Sequence, residues 1–98
     1  MFTIDRVTTH PGRILMKDFL EPLQMSQTTL AARLGISLQR VNEICKGKRG
    51  ISPETAWLLY KQFGVEPQFW MNLQTNHDLS RTRPKNIAPP KPHHRKAA

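Results

Sequence analysis

The sequence predicts an all-α domain of five short helices, on three observations. Start signals recur at Ser26, Ser37, Ser52-Pro53 and Pro67, each ahead of a stretch whose apolar residues fall at helical spacing. Glycines close those stretches at Gly35, Gly47 and Gly64, where a residue without a Cβ adopts the left-handed conformation at little cost. The 98 residues suffice for one hydrophobic core and no more.

Residues 1–10 make a flexible N-terminal arm. The weak alternation of Phe2, Ile4 and Val7 leaves a short strand and a disordered segment both open. After Pro11-Gly12, Arg13 to Glu21 reads as a first helix with Ile14, Leu15, Phe19 and Leu20 as its apolar positions. Pro22 should end it, because proline disfavours helix in the residue before it and cannot donate to the hydrogen-bond ladder. Ser26 and Ser37 then start two helices joined by a tight turn at Gly35. Leu30, Ala31 and Leu34 face inward from the first of these, and small Ala31 allows a close crossing; Val41 and Ile44 face inward from the second.

A fourth helix runs from Pro53 to Phe63 with Ala56, Leu59, Tyr60 and Phe63 on one stripe, and a fifth from Pro67 to about Leu79. Residues 11–79 thus form the folded body. From 80 to 98 the composition changes to Pro84, Pro89, Pro90, Pro92, six cations and almost no apolar side chains. That tail cannot bury enough surface to offset its ordering entropy and reads as disordered.

The net charge of +8 is unevenly placed: residues 1–79 carry nine Lys or Arg against seven Asp or Glu, and the tail carries six basic residues and no acid. Within the body, Arg33, Arg40, Lys46, Lys48 and Arg49 cluster with Glu43 as the only acid among them, and this cluster is the argument for phosphate contact. No apolar run reads as a signal peptide or membrane span, so a cytoplasmic protein, nucleoid-associated when DNA-bound, is expected. The single Cys45 excludes an internal disulfide and a multi-cysteine zinc site, and reads as a partly buried apolar residue. Catalysis is not expected: Cys45, His10 and His77 are titratable, but no carboxylate pair, metal-ligand set or glycine-rich phosphate loop accompanies them. No cofactor or metal is expected, and the adjacent His93 and His94 lack further ligands.

The spacing of Gln27, Ala31, Gly35, Val41 and Ile44 resembles the helix-turn-helix of phage repressors, whose second helix enters the major groove. A wider set of motifs closely resembles the HigA-type antitoxins, also called virulence-associated protein I. These are His10-Pro11-Gly12, Leu20-Glu21-Pro22-Leu23 followed by Ser26-Gln27, the Gly47-Lys48-Arg49 loop, and Phe69-Trp70-Met71-Asn72-Leu73-Gln74. The resemblance implies a five-helix phage-repressor-like domain that dimerises, binds double-stranded operator DNA as an autorepressor and neutralises a small toxin of the RelE-like or HigB-like endoribonuclease class. A stand-alone repressor without a toxin has the same fold and DNA face and stays open. His77 departs from the family pattern, where an aromatic residue is common, and so does the proline-rich tail.

By position in the motif, Gln27 is expected to contact a backbone phosphate, and Ser37, Leu38, Gln39, Asn42, Glu43 and Lys46 to form the DNA-facing surface of the third helix. The chemistry agrees, since Gln39 and Asn42 can pair with adenine N6 and N7 while Leu38 packs on a thymine methyl. Arg40, Lys48 and Arg49 would anchor phosphates. Glu43 repels phosphate unless it accepts from a cytosine amine or pairs with Arg40. Trp70, Leu73 and His77, one stripe of the fifth helix, are expected to form the dimer interface, while Phe69 is expected in the core.

Overall fold

A computed structural model of the chain describes residues 8–86, so most of the arm and residues 87–98 of the tail lie outside the described residues. Among the described residues there are five helices and no strand, as the caps predict.

The first helix, α1, spans 11–23 in three parts: α-helical Pro11–Ile14, π-helical Leu15–Leu20 and α-helical Glu21–Leu23. It starts earlier than expected because His10 caps it, its Nδ1 accepting from the Gly12 N–H at 2.9 Å, with Pro11 at the first helical position. Gly12 is required there. A Cβ on it would overlap the Ile44 carbonyl oxygen, so the start of α1 presses directly on backbone of the third helix. Nor does Pro22 end α1. The wider π turns, in which the Glu21 N–H reaches the Met16 carbonyl, accommodate the proline that a regular α register would set against the Asp18 carbonyl. The helix stops instead at Gln24, held left-handed at φ 53° without being glycine.

The second helix, α2, is Gln27–Leu34, and the third, α3, is Leu38–Cys45. Ser26 Oγ accepts from the Thr29 N–H and Ser37 Oγ from the Arg40 N–H, each at 3.0 Å, and Gly35 turns the chain at φ 74°. These are the expected caps and turn. Helix α4, Pro53–Phe63, begins on Ser52, whose Oγ accepts from the Thr55 N–H at 3.2 Å, and ends on left-handed Gly64. Helix α5 is Pro67–Thr82.

That last helix runs three residues past its expected end because the chain before α1 straps it. The Thr8 N–H donates to Ser80 Oγ at 3.0 Å, and His77 Nδ1 donates to the Thr8 carbonyl at 2.8 Å. Ser80 is accordingly buried.

The core gathers Leu15, Leu20, Leu30, Val41, Ile44, Ile51, Leu59 and Trp70, with Ala31 and Ala56 at the close crossings. Trp70 is the largest of its fully buried side chains, with Phe19 and Phe69 rings 5.2 and 5.1 Å from its own. This corrects the expected dimer stripe at Trp70. Trp70 faces the monomer's own core, Leu73 is half-buried against that core, and His77 is engaged by the strap. Neighbouring positions on a helix point about 100° apart, and the face taken by Trp70 leaves Phe69, expected in the core, 40% exposed. On α4, Ala56 and Leu59 are buried as expected, but Tyr60 turns outward to meet exposed Trp57 edge to face, ring centroids 5.8 Å apart.

Candidate nucleic-acid interface

Helix α3 buries Val41, Ile44 and Cys45 and turns its remaining side chains outward. Leu38, Gln39 and Lys46 are exposed, while Arg40, Asn42 and Glu43 are half-buried along the rim. Ser37 is exposed but spends its hydroxyl on the helix cap, so its part is to orient α3.

Asn42 and Gln27 meet across the turn, the Asn42 Nδ2 donating to Gln27 Oε1 at 3.1 Å. Gln27 also reaches back to α1, its Nε2 4.0 Å from Met16 Sδ. The bond fixes the Asn42 amide while leaving its carbonyl oxygen and second N–H for a base edge, the pair that adenine needs. The sequence places both residues in the expected interface but does not show that one orients the other.

Glu43 is resolved differently from the expected Arg40 pairing. Its Oε1 accepts from Arg49 Nε at 2.9 Å and lies 2.8 Å from the same guanidinium's second nitrogen, and its Oε2 accepts from Gln39 Nε2 at 3.2 Å. The Arg49 hydrogen bond, followed by that from Gln39, holds the Glu43 carboxyl below its ordinary value, so it stays anionic and neutralised in place. Its backbone does the same work, the Glu43 carbonyl accepting from the Lys48 and Arg49 N–H groups at 2.8 and 3.2 Å. Gly47, at φ 79°, folds the loop back so that these contacts close. Arg49 is thus in part a loop fastener, and Arg40, Lys46 and Lys48 carry no ion pair among the described residues.

Burial pushes the Cys45 thiol up to about 11, which keeps it protonated and inert at neutral pH. His10 and His77, remote in sequence, are brought edge to face with centroids 4.9 Å apart, a pairing that sequence reading misses. Gln74 ties α5 to the chain after the α3 loop, its Oε1 accepting from the Ile51 N–H at 2.8 Å. No residues among those described gather into a metal-ligand group, and none of the described helices is long and apolar enough to cross a membrane.

A helix-turn-helix family model (HTH_3) matches residues 16–70, which include the whole of α2, the turn, α3 and α4. The chain belongs to the helix-turn-helix family. This helix-turn-helix protein is 44% identical over 70 residues to virulence-associated protein I of Dichelobacter nodosus. The match covers 71% of the chain and 65% of that relative, just under two thirds of its length. An HTH-type transcriptional regulator of Haemophilus influenzae, itself uncharacterized, is 39% identical over 74 residues, 76% of this chain and 69% of that one. Among solved structures, the Pseudomonas aeruginosa antitoxin HigA with the higBA promoter is similar at a TM-score of 0.73 and 41% identity, over 74% of this chain and 79% of that one. The helix-turn-helix protein is therefore HigA-like in sequence and fold.

Proposed function

We propose that this HigA-like protein is the antitoxin of a type II toxin-antitoxin pair, binding its own operator as a homodimer and neutralising a RelE-like or HigB-like endoribonuclease encoded beside it. The observation that carries the DNA half is the exposed face of α3, on which Asn42 is held by Gln27 and Glu43 is neutralised by Arg49. Leu38, Gln39 and Asn42 read base edges, while Arg40, Lys46 and Lys48 anchor phosphates. The likeness to a HigA solved with promoter DNA supports the antitoxin half. The protein works in the cytoplasm, on the nucleoid when DNA-bound.

A two-fold operator calls for two copies whose recognition helices lie about one DNA turn apart. With Trp70 in the core, the contact face we assign is the outer side of α4. Trp57 there is 60% exposed and Tyr60 40% exposed, and the loop from α3 leads directly into this helix.

The test is a fluorescence titration against the DNA upstream of the gene, with a scrambled competitor at two salt concentrations. Preferential binding of the upstream DNA is expected; equal, weak binding with a steep salt slope would refute operator recognition. A stand-alone regulator is the second reading, supported by the Haemophilus influenzae relative. Co-expression with the neighbouring reading frame separates the two. Rescue of growth from that product is expected of an antitoxin, and its failure favours the stand-alone regulator.

A further inference from the structure

A cleft of about 300 Å³ lies between the strap before α1, the α3–α4 loop and the last turns of α5, away from the outward face of α3. Its chemistry-bearing walls are His10, Lys48, Gln74, His77, Asp78 and Arg81. Glycines make the room. A Cβ at Gly50 would come within 3.0 Å of the Gln74 amide, and one at Gly47 would touch the His10 ring. The volume suits a small ligand, and the walls are mainly polar.

We propose that this cleft binds a protonated phosphate, either inorganic phosphate or the phosphate group of a small monoester, through converging donors and an acceptor for its remaining proton. The hydrogen bonds in the walls assign those roles. His10 Nδ1 accepts from the Gly12 N–H, so the neutral ring carries its proton on Nε2 and is a donor there. His77 has the opposite tautomer. Its Nδ1 faces the Thr8 carbonyl, which can only accept, so the neutral ring leaves Nε2 as an acceptor. Lys48 and Arg81 add two cations. Arg81 stands 3.9 Å from Asp78 Oδ1, at the outer limit of an ion pair, so most of its N–H groups are uncommitted.

Among the described residues Asp78 is the only acid in the cleft, and on a bare oxyanion it would be repulsive. One of its oxygens accepts from Gln74 Nε2 at 3.0 Å, which leaves the other to accept a ligand O–H. A phosphate that keeps one proton offers that O–H and several acceptor oxygens; sulfate, with the same shape, offers acceptors alone. A DNA backbone phosphate, a diester without a proton, fails the match in the same way. The cleft is therefore distinct in chemistry from the DNA-facing side of α3, although Lys48 stands at the edge of both.

Burial, then His77 and Arg81, lower the affinity of His10 for a proton, partly offset by Asp78. With Lys48 these are the charged and titratable groups of the cleft among the described residues, drawn from the strap, the loop and α5. A bound anion adds a negative charge beside His10, so its titration midpoint must rise on binding.

The experiment is an NMR titration of the full chain at pH 6, where a phosphate monoester still keeps part of its proton, and at constant ionic strength, following the histidine rings and the Gly47 and Gly50 amides. Its ligands are inorganic phosphate, glycerol 3-phosphate and sulfate. Saturable shifts with either phosphate are expected, with sulfate at least about tenfold weaker, and the His10 midpoint moves up in the loaded state. Preference for glycerol 3-phosphate over inorganic phosphate identifies the monoester as the ligand, and the reverse identifies the free ion. Arg81→Gln, at an exposed site, should weaken phosphate about tenfold with the thermal midpoint unchanged. Asp78→Asn should narrow the gap between phosphate and sulfate. Equal, unsaturating shifts with phosphate and sulfate, or unchanged affinity in Arg81→Gln, would overturn the site. None of these readouts depends on DNA binding, so their failure and that of operator recognition are separately visible.

Discussion

Trp57 and Trp70 stand on consecutive helices, one 60% exposed and the other fully buried. Trp70 sits where α5 meets α1, against Phe19 and Phe69, and closes the core. Trp57 stands on the opposite side of α4 from Ala56 and Leu59 and, among the described aromatic rings, meets Tyr60 alone. The difference separates two uses of apolar area. Burying a tryptophan within the chain stabilises the monomer, whereas one left at the surface keeps the same area available for the dimer contact proposed above.

Replacing the buried residue gives the largest expected effect. Trp70→Ala should cost about 3–5 kcal/mol, as truncations of large core aromatics do, which is a large part of a small domain's stability. Chemical denaturation reads this directly, and a Trp70→Ala protein that stays folded as a monomer would reinstate the surface-stripe reading of α5. Trp70→Phe should be milder, because the indole Nε1 has no hydrogen-bond partner among the described residues and its loss removes an unpaired buried donor.

At the exposed residue the order of effects reverses. Trp57→Ala should change monomer stability by no more than about 0.5 kcal/mol, the usual range for surface substitutions. Light scattering should find the mass halved, and operator affinity should fall with it. A variant that is still dimeric would move the contact to another part of the surface.

The unequal legibility of these features follows from how far apart in sequence their causes lie. Ser26, Gly35, Ser37, Ser52 and Gly64 act on backbone within a few residues, so their caps could be read before any tertiary structure was known. Which of Phe69 and Trp70 enters the core depends on where α5 crosses α1, and no local periodicity fixes that. The Glu43–Arg49 pair closes only after Gly47 reverses the chain, and the nearer Arg40 offered a simpler partner. The last turn of α5 is held by Thr8, 72 residues before Ser80. The α3 face was legible because it needs only the helical repeat and the polarity of its residues, while the Asn42–Gln27 bond that orients it needed the crossing angle.

The strap at the far end of α5 extends the buried side of the comparison and gives it a pH dependence. His10 binds its proton less readily in the fold than its ordinary value of 6.5, first because it is partly buried. The unfolded chain then binds more protons at this residue, so its contribution is neutral above pH 6.5 and stability falls as pH drops from there toward the folded value. Glu43, held below 4.5, loses its own stabilising contribution only at more acid pH, so the two windows are distinct. His10→Asn keeps a side chain able to cap α1 and removes the titration. Urea midpoints between pH 7 and 5 should therefore decline less in this variant than in the parent, and equal slopes would show that the strap is not the sensor.

The smallest expected effect lies at the end of α1, where neither tryptophan acts directly. Gln24 is left-handed at φ 53°, and its N–H and that of Met25 close the helix on the Glu21 and Leu20 carbonyls at 3.0 and 2.9 Å. A side chain in that conformation is strained by about 1 kcal/mol or more, and glycine relieves the strain at the cost of a more flexible unfolded chain. Gln24→Gly should therefore stabilise the protein by about 0.5 kcal/mol. The exposed side chain makes no hydrogen bond among the described residues, so no contact is lost to mask the gain. Thermal unfolding of the variant separates the two terms: a lower midpoint would mean that the turn after Pro22 is held by its packing and not limited by backbone strain.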